Sequence, residues 1–175
     1  MVGADVFAPD ERLELIDGEI LQLSPIGTAH QACVLRLTTL FSRLAANEDA
    51  VLLVQGTFQI GDWSMPQPDA ALLRWRGNHY ADAHPRPGDL LLAVEVADSS
   101  LRYDRETKRP LYARAGVIET WIVDVNGGVV DVATGPTGDG YGRIVQVGTG
   151  DTIAPSAFPD LTVDVGWLAG NRAAR

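Results

Sequence analysis

The stretch LLLAVEVADSS, residues 90–100, limits what this chain can fold into more than any other. Its Leu, Val and Ala residues run on without a turn signal, the pattern of a strand buried on both faces. One ionisable side chain, Glu95, sits near the end of that run. A carboxylate there is costly unless it is paired or holds a metal. Side chains alternate across a strand, so Leu91, Ala93, Glu95 and Ala97 share a face, with a small residue on either side of the acid. That leaves room for something about the size of a hydrated ion. A buried acid paired with an arginine satisfies the same pattern.

Two further stretches bear on the choice. In MPQPDAALL, residues 65–73, Asp69 follows a proline and opens a short apolar run, so it stands at the start of a strand, within reach of the sheet end. In RETKRPLYARAG, residues 105–116, Lys108 is the only lysine among the 14 basic residues. A chain that uses arginine almost everywhere yet keeps one lysine is consistent with a need for a compact, titratable ammonium there. Chance retention in an arginine-biased sequence explains it too.

The 175 residues suit one domain with a full core. No apolar run is long enough to span a bilayer, and the first residues, MVGADVFAPDERLEL, have neither the basic start nor the apolar core of a signal peptide. The single Cys33 falls in a helical pattern and reads as a small buried thiol. These features together predict a cytoplasmic protein. The net charge of −9 argues against broad, non-specific nucleic-acid binding. Arg102, Arg105, Lys108, Arg109 and Arg114 nevertheless fall close together, as a local basic edge or an ordinary solvated helix face.

In chain order, residues 12–23 read as a hairpin turned at Asp17-Gly18, with Glu19 just past the turn. Thr28 resembles an N-cap with Gln31 as its capping-box partner, and the apolar spacing from Cys33 to Leu44 predicts a helix over about 29–46 with His30 in its first turn. Residues 51–60 read as one strand, or two pieces broken at Gly56. A strand follows at 69–74, then a surface excursion at 75–89, where His79 and His84 are weak evidence for zinc. A helical segment after the central strand ends at Gly116, and Pro110 predicts a kink or a restart near Arg109. ETWIVDV (119–125) and VVDVA form a hairpin about Asn126-Gly127-Gly128. Residues 134–142 read as a glycine-rich loop, residues 143–147 as an edge strand, and the tail through Trp167 as local packing.

Taken in order, ELIDGEI, SPIGTAHQ, QPDAALL, LLLAVEVADSS and RETKRPLYARAGVIETWIVD resemble the Uma family of restriction-endonuclease-like proteins, within the PD-(D/E)XK nuclease superfamily. The resemblance covers roughly residues 11–133. It implies an α/β fold, a single domain whose mixed central sheet is flanked by helices, and a divalent-metal nuclease site. The family's site positions fall on Glu19, His30, Asp69, Glu95 and Lys108. The wider superfamily places its lysine two residues after the acid, where this chain has Ala97. A helix packed back onto the sheet would deliver Lys108 into the space that Ala97 leaves.

The implied chemistry is coherent. Magnesium, or manganese in its place, prefers carboxylate and water oxygens. Asp69 and Glu95 are the expected ligands, with the Ala97 carbonyl as a third oxygen and Glu19 near a second metal or a bound water. Lys108 would orient or deprotonate the attacking water and offset developing charge. His30, Gln67, Arg105 and Arg109 are the candidates to contact substrate. The expected partners are DNA and a second copy of the chain, since cutting two strands with one site per copy needs a homodimer. The alternative is the same fold without catalysis, its acids structural and its surface used for binding. Glycoside hydrolysis by a carboxylate pair leaves Lys108 without a role.

Overall fold

The computed structural model describes residues 13–22 and 25–170. The ends of the expected hairpin and the first residues of the chain lie outside the described residues.

The core is a six-stranded sheet in the order β3-β4-β5-β6-β7-β8: β3 Ala50–Val54, β4 Ala70–Arg74, β5 Leu90–Ala97, β6 Glu119–Asp124, β7 Val129–Thr137 and β8 Gly140–Gly148. Only β5 and β6 run parallel. A parallel pair needs a long crossover, and the helical segment 101–115 supplies it. The two central strands are buried on both faces except at a few end positions, as their apolar composition requires. Helix α1, Thr28–Ala46, lays Cys33, Val34, Leu37, Phe41 and Leu44 over one face, against Leu72, Leu92, Val94, Val96 and Trp121. The other face packs Ala71, Leu73 and Ala93 against Leu111, Tyr112, Phe58 and Ile16.

Ile16 belongs to a separate two-stranded hairpin, β1 Leu13–Ile16 and β2 Glu19–Gln22, turned at Asp17-Gly18 with φ of 49° and 86°. The hairpin is pinned to the loop before β4. The Met65 N–H donates to the Leu15 carbonyl at 2.7 Å, the Gly18 N–H to the Trp63 carbonyl at 2.8 Å and the Asp17 N–H to Ser64 Oγ at 2.9 Å.

Several boundaries differ from the sequence reading. Helix α1 is capped by Gly27 rather than Thr28, with no side-chain cap. A Cβ at Gly27 would stand 2.6 Å from Asp98 Oδ2, so the helix start is fixed by a close approach to the loop after β5. Strand β3 stops at Val54 because Gln55 turns to φ 46°. Residues 134–142 are not an extended loop: β7 and β8, nine residues each, stay paired up to a two-residue turn at 138–139, with Gly135 at φ 69° absorbing the irregularity. The tail adds β9 Thr152–Ile153, β10 Val163–Asp164 and α4 Val165–Ala169, which pack onto the α1 face.

The crossover resolves the Pro110 conflict in an unexpected way. It runs as α2 Leu101–Tyr103, a π-helical turn Asp104–Lys108, and α3 Arg109–Ala115, ended by Gly116 at φ 84°. In the π-turn the Arg109 N–H reaches the Asp104 carbonyl, five residues back. The wider turn accommodates a residue that has no N–H and whose ring would crowd an ordinary helical carbonyl. The segment therefore continues past Pro110 without a break.

Candidate functional site

A cleft of about 370 Å³ opens at the end of the sheet where β5 finishes and β4 begins. Its walls are the end of β2, the start of α1, the turn before β4, and residues 98–108 after β5. Asp69, Glu95 and Lys108, far apart in sequence, all line it.

Asp69 stands one residue before β4. Its Oδ1 lies 3.0 Å from His30 Nε2 and accepts Gln55 Nε2 at 3.3 Å; its Oδ2 accepts the Val96 N–H at 2.9 Å. Burial opposes its ionisation, but His30, the Val96 N–H and Lys108 outweigh burial and hold the carboxyl below the usual range. Glu95 is fully enclosed. Its Oε1 accepts the Tyr112 hydroxyl at 2.5 Å and its Oε2 faces Lys108 Nζ at 3.0 Å. Burial pushes its pKa well up in spite of Lys108, with Asp104, Asp69 and Glu14 adding to the rise.

Lys108 is only 4% exposed. Its Nζ lies 2.7 Å from Glu14 Oε1 as well as 3.0 Å from Glu95 Oε2. Burial alone would lower its pKa; Glu95, Glu14 and Asp104 overcome that and raise it above the ordinary lysine value. In this arrangement Lys108 is an ammonium at neutral pH, suited to stabilising negative charge and not to removing a proton.

Glu14, on β1, was not expected here. It is 1% exposed, and its Oε1 also accepts the Gln67 N–H at 2.7 Å. Asp104 is a second unexpected acid. Burial pushes it up to about 6, moderated by Lys108 and by the Ser100 hydroxyl, which donates to Oδ2 at 2.6 Å. Tyr112 is a third addition. Asp104, Lys108 and Tyr112 are four apart, which puts them on one side of the helical segment; that spacing was the available signal. Glu14 could be found from Ile16, two residues on and in the core, because the two share a strand face.

The remaining expectations fare differently. His30 and Gln67 line the cleft. Glu19 does not; it is exposed on the hairpin, just past the turn. The Ala97 carbonyl is engaged in the sheet, accepting the Val125 N–H at 3.1 Å. Successive strand residues direct their backbone groups to alternate neighbours, so Val96 turns toward the β4 side, where pairing stops at Ala70↔Val94. The carbonyl that opens beside Asp69 is therefore that of Val96. Arg105 and Arg109 face away from the cleft and pair with Asp131 on β7, at 2.7 and 3.3 Å. His79 stacks edge-on against Trp75, and His84 lies 3.3 Å from Thr57 Oγ1, so the two do not form a pair.

Four acids, Glu14, Asp69, Glu95 and Asp104, thus surround one lysine and one histidine. Three buried polar atoms here have no protein partner among the described residues: Glu14 Oε2, His30 Nδ1 and the Tyr103 hydroxyl. Among the described residues no group of three or more His, Cys, Asp or Glu is arranged around a metal position. Magnesium, however, commonly takes only one or two carboxylates and keeps its waters. Asp69, Glu95 and the Val96 carbonyl are hard oxygen donors of that kind, in a pocket with surplus negative charge, so the residues fit a divalent cation.

The Uma2 family model, described as "Putative restriction endonuclease", matches residues 4–166. The chain belongs to this family. A solved structure similar to this Uma2 member is that of a protein from Anabaena variabilis, described as a putative nuclease belonging to DUF820. The two share 16% identity and superpose with a TM-score of 0.76, covering 92% of this chain and 91% of the other. That likeness establishes the fold. No curated protein matches the chain. No described helix of this Uma2 member is long and apolar enough to cross a membrane.

Proposed function

We propose that this protein is a divalent-metal-dependent endonuclease acting on DNA. One observation carries the reading: Asp69, Glu95 and Lys108 meet in one cleft, where buried acids outnumber bases. Burying carboxylates beyond the number of cations beside them costs several kcal/mol apiece, roughly the penalty for a buried charge, and a dication offsets that cost directly. DNA as substrate rests on the family's description as restriction endonucleases.

A bound magnesium or manganese ion would polarise the scissile phosphate and lower the pKa of a coordinated water. Asp69 and Glu95 would hold it, with the Val96 carbonyl beside them. His30 fixes Asp69 through Nε2, leaving Nδ1 for substrate or water. Tyr112 anchors the other side of Glu95. Lys108 supplies a fixed positive charge for the oxygens on which negative charge accumulates. Cutting both strands with one site per chain calls for a homodimer, and a DNA substrate is in keeping with a cytoplasmic protein.

The test combines manganese binding, followed by electron paramagnetic resonance, with nicking of supercoiled plasmid. Wild type is expected to do both. Asp69→Ala and Glu95→Ala are expected to lose both. Manganese binding that is unchanged in both variants rejects the site.

A second reading, a non-catalytic module of the same fold, is favoured by the engagement of every oxygen of Asp69 and Glu95 with protein donors. Metal binding without cleavage of any nucleic acid would select it.

A further inference from the structure

We propose that Glu14 is a positioning residue for Lys108: it is the seat that keeps the ammonium in the cleft when Glu95 is given over to a cation. The inference rests on the nuclease reading for its consequence, but not for its geometry.

Three observations carry it. The first is the distance order. Lys108 Nζ is nearer Glu14 Oε1, at 2.7 Å, than Glu95 Oε2, at 3.0 Å. The second is that Glu14 is itself held. Its Oε1 accepts the Gln67 N–H, and Gln67 is tied by its side chain to the Gln55 carbonyl at 2.6 Å. The bridge between Leu15 and Met65 locks the strand that carries Glu14 against the same loop. A carboxylate so fixed gives an ammonium a defined place, which a flexible four-carbon stem does not provide alone. The third is the spare acceptor. Glu14 has no side-chain exposure, and its Oε2 has no protein partner among the described residues. An unpaired buried carboxylate oxygen is expensive, and this one belongs to the group that already holds Lys108.

These facts assign the two glutamates different duties. Glu95 lies between Tyr112 and Lys108 and shares the cleft with Asp69. Glu14 lies behind Lys108 and does not line the cleft. Loss of the Glu95 contact leaves Lys108 with both oxygens of Glu14 as acceptors. Oε2, which has no protein partner among the described residues, is then the acceptor left open to the ammonium.

The experiment uses Lys108 being the only lysine. Protein labelled with nitrogen-15 lysine has one side-chain ammonium signal, visible by NMR where the group is buried and shielded from exchange with water. The signal is expected in wild type and in Glu95→Gln, and is expected to vanish in Glu14→Gln. Glu14→Asp keeps the charge and should restore it in part. Persistence of the signal in Glu14→Gln overturns the proposal, as does its loss in Glu95→Gln but not in Glu14→Gln.

In the nicking assay Glu14→Gln should lower kcat by about a hundredfold, the low end for loss of a charge-stabilising donor. Its KM for plasmid and its manganese affinity should not change. Manganese binding lost as in Glu95→Ala would make Glu14 a ligand and overturn the assignment. Should wild type neither bind manganese nor nick DNA, the nuclease reading fails and the ammonium signals alone decide the role of Glu14.

Discussion

Two stripes of the same helical segment end in opposite chemistry. Asp104 and Lys108 line the cleft and Tyr112, on the same side, holds Glu95 from the core; Arg105 and Arg109, one position further round, face Asp131 on β7. The arginine stripe is oversupplied with donors. Asp131 receives Arg105 through Nε and Nη2 at 2.7 and 3.0 Å, Arg109 through Nη1 at 3.3 Å and Gln146 through Nε2 at 3.0 Å. Burial would raise its pKa, but Arg105 and Gln146 pull it below the usual range. The lysine stripe is undersupplied: one ammonium serves Glu14 and Glu95, with Asp104 and Asp69 close by. The first cluster is complete in itself. The second has acids pushed up in pKa and, among the described residues, polar atoms without partners, and a ligand would complete it. Charge alone did not separate the two in the sequence, since all five residues belong to one short run.

The sharpest test of that contrast is Lys108→Met. It should cut plasmid nicking by about 10²–10³-fold, as for loss of one charge-stabilising donor. In metal-free protein it should cost about 3–5 kcal/mol in urea unfolding, the usual price of stranding a buried charge. Equal nicking by Lys108→Met and wild type would erase the distinction between the stripes.

Asp104 offers a test by pH. Its folded pKa of about 6 lies above the unfolded value, so the folded protein holds this proton more tightly. The resulting stability is fully present below about pH 4 and is lost as pH rises through about 6, a change of about 3 kcal/mol at 1.36 kcal/mol per unit. Metal-free wild type should therefore show this decline relative to Asp104→Asn when the two are unfolded side by side across that window. Parallel curves would mean that Asp104 ionises normally. Asp131→Ala should cost about 1.5–3 kcal/mol, as for hydrogen bonds to charged groups, and leave nicking unchanged. A loss of nicking comparable with that of Lys108→Met would join the clusters functionally. The smallest effect belongs to Glu19→Gln, expected to fall within about 0.5 kcal/mol of wild type, with manganese binding intact. Loss of binding there would return Glu19 to the site.

Much of the framework was legible because burial leaves a strong signature. An apolar run with no turn residue reads as a central strand, and an acid inside it is conspicuous. Asp69 after a proline and Lys108 as a solitary lysine stood out for the same reason: each breaks a local rule. Glu14 did not stand out, because an acid on a short hairpin looks solvent-facing; the burial of Ile16, two residues on and on the same strand face, is what reverses the inference. Asp104 was hidden among neighbouring charges. The extension of β7 and β8 was masked by their glycines, which composition reads as loop although cross-strand pairing overrides it. Arg105 and Arg109 were misplaced because their partner, Asp131, lies on a strand that the sequence does not connect to them.

The π-turn at Asp104–Lys108 has a consequence for how this segment tolerates change. It carries one residue more than an ordinary helix would use over the same rise, and a residue corresponds to about 100° of rotation. Removing one residue between Asp104 and Lys108 would return this turn to regular α winding, so that the Pro110 ring meets the carbonyl four residues before it and Asp104 loses its four-residue spacing to Lys108, with no side chain chemically altered. Spacing within this short stretch is thus a functional quantity in its own right, and length changes there should be rarer than substitutions.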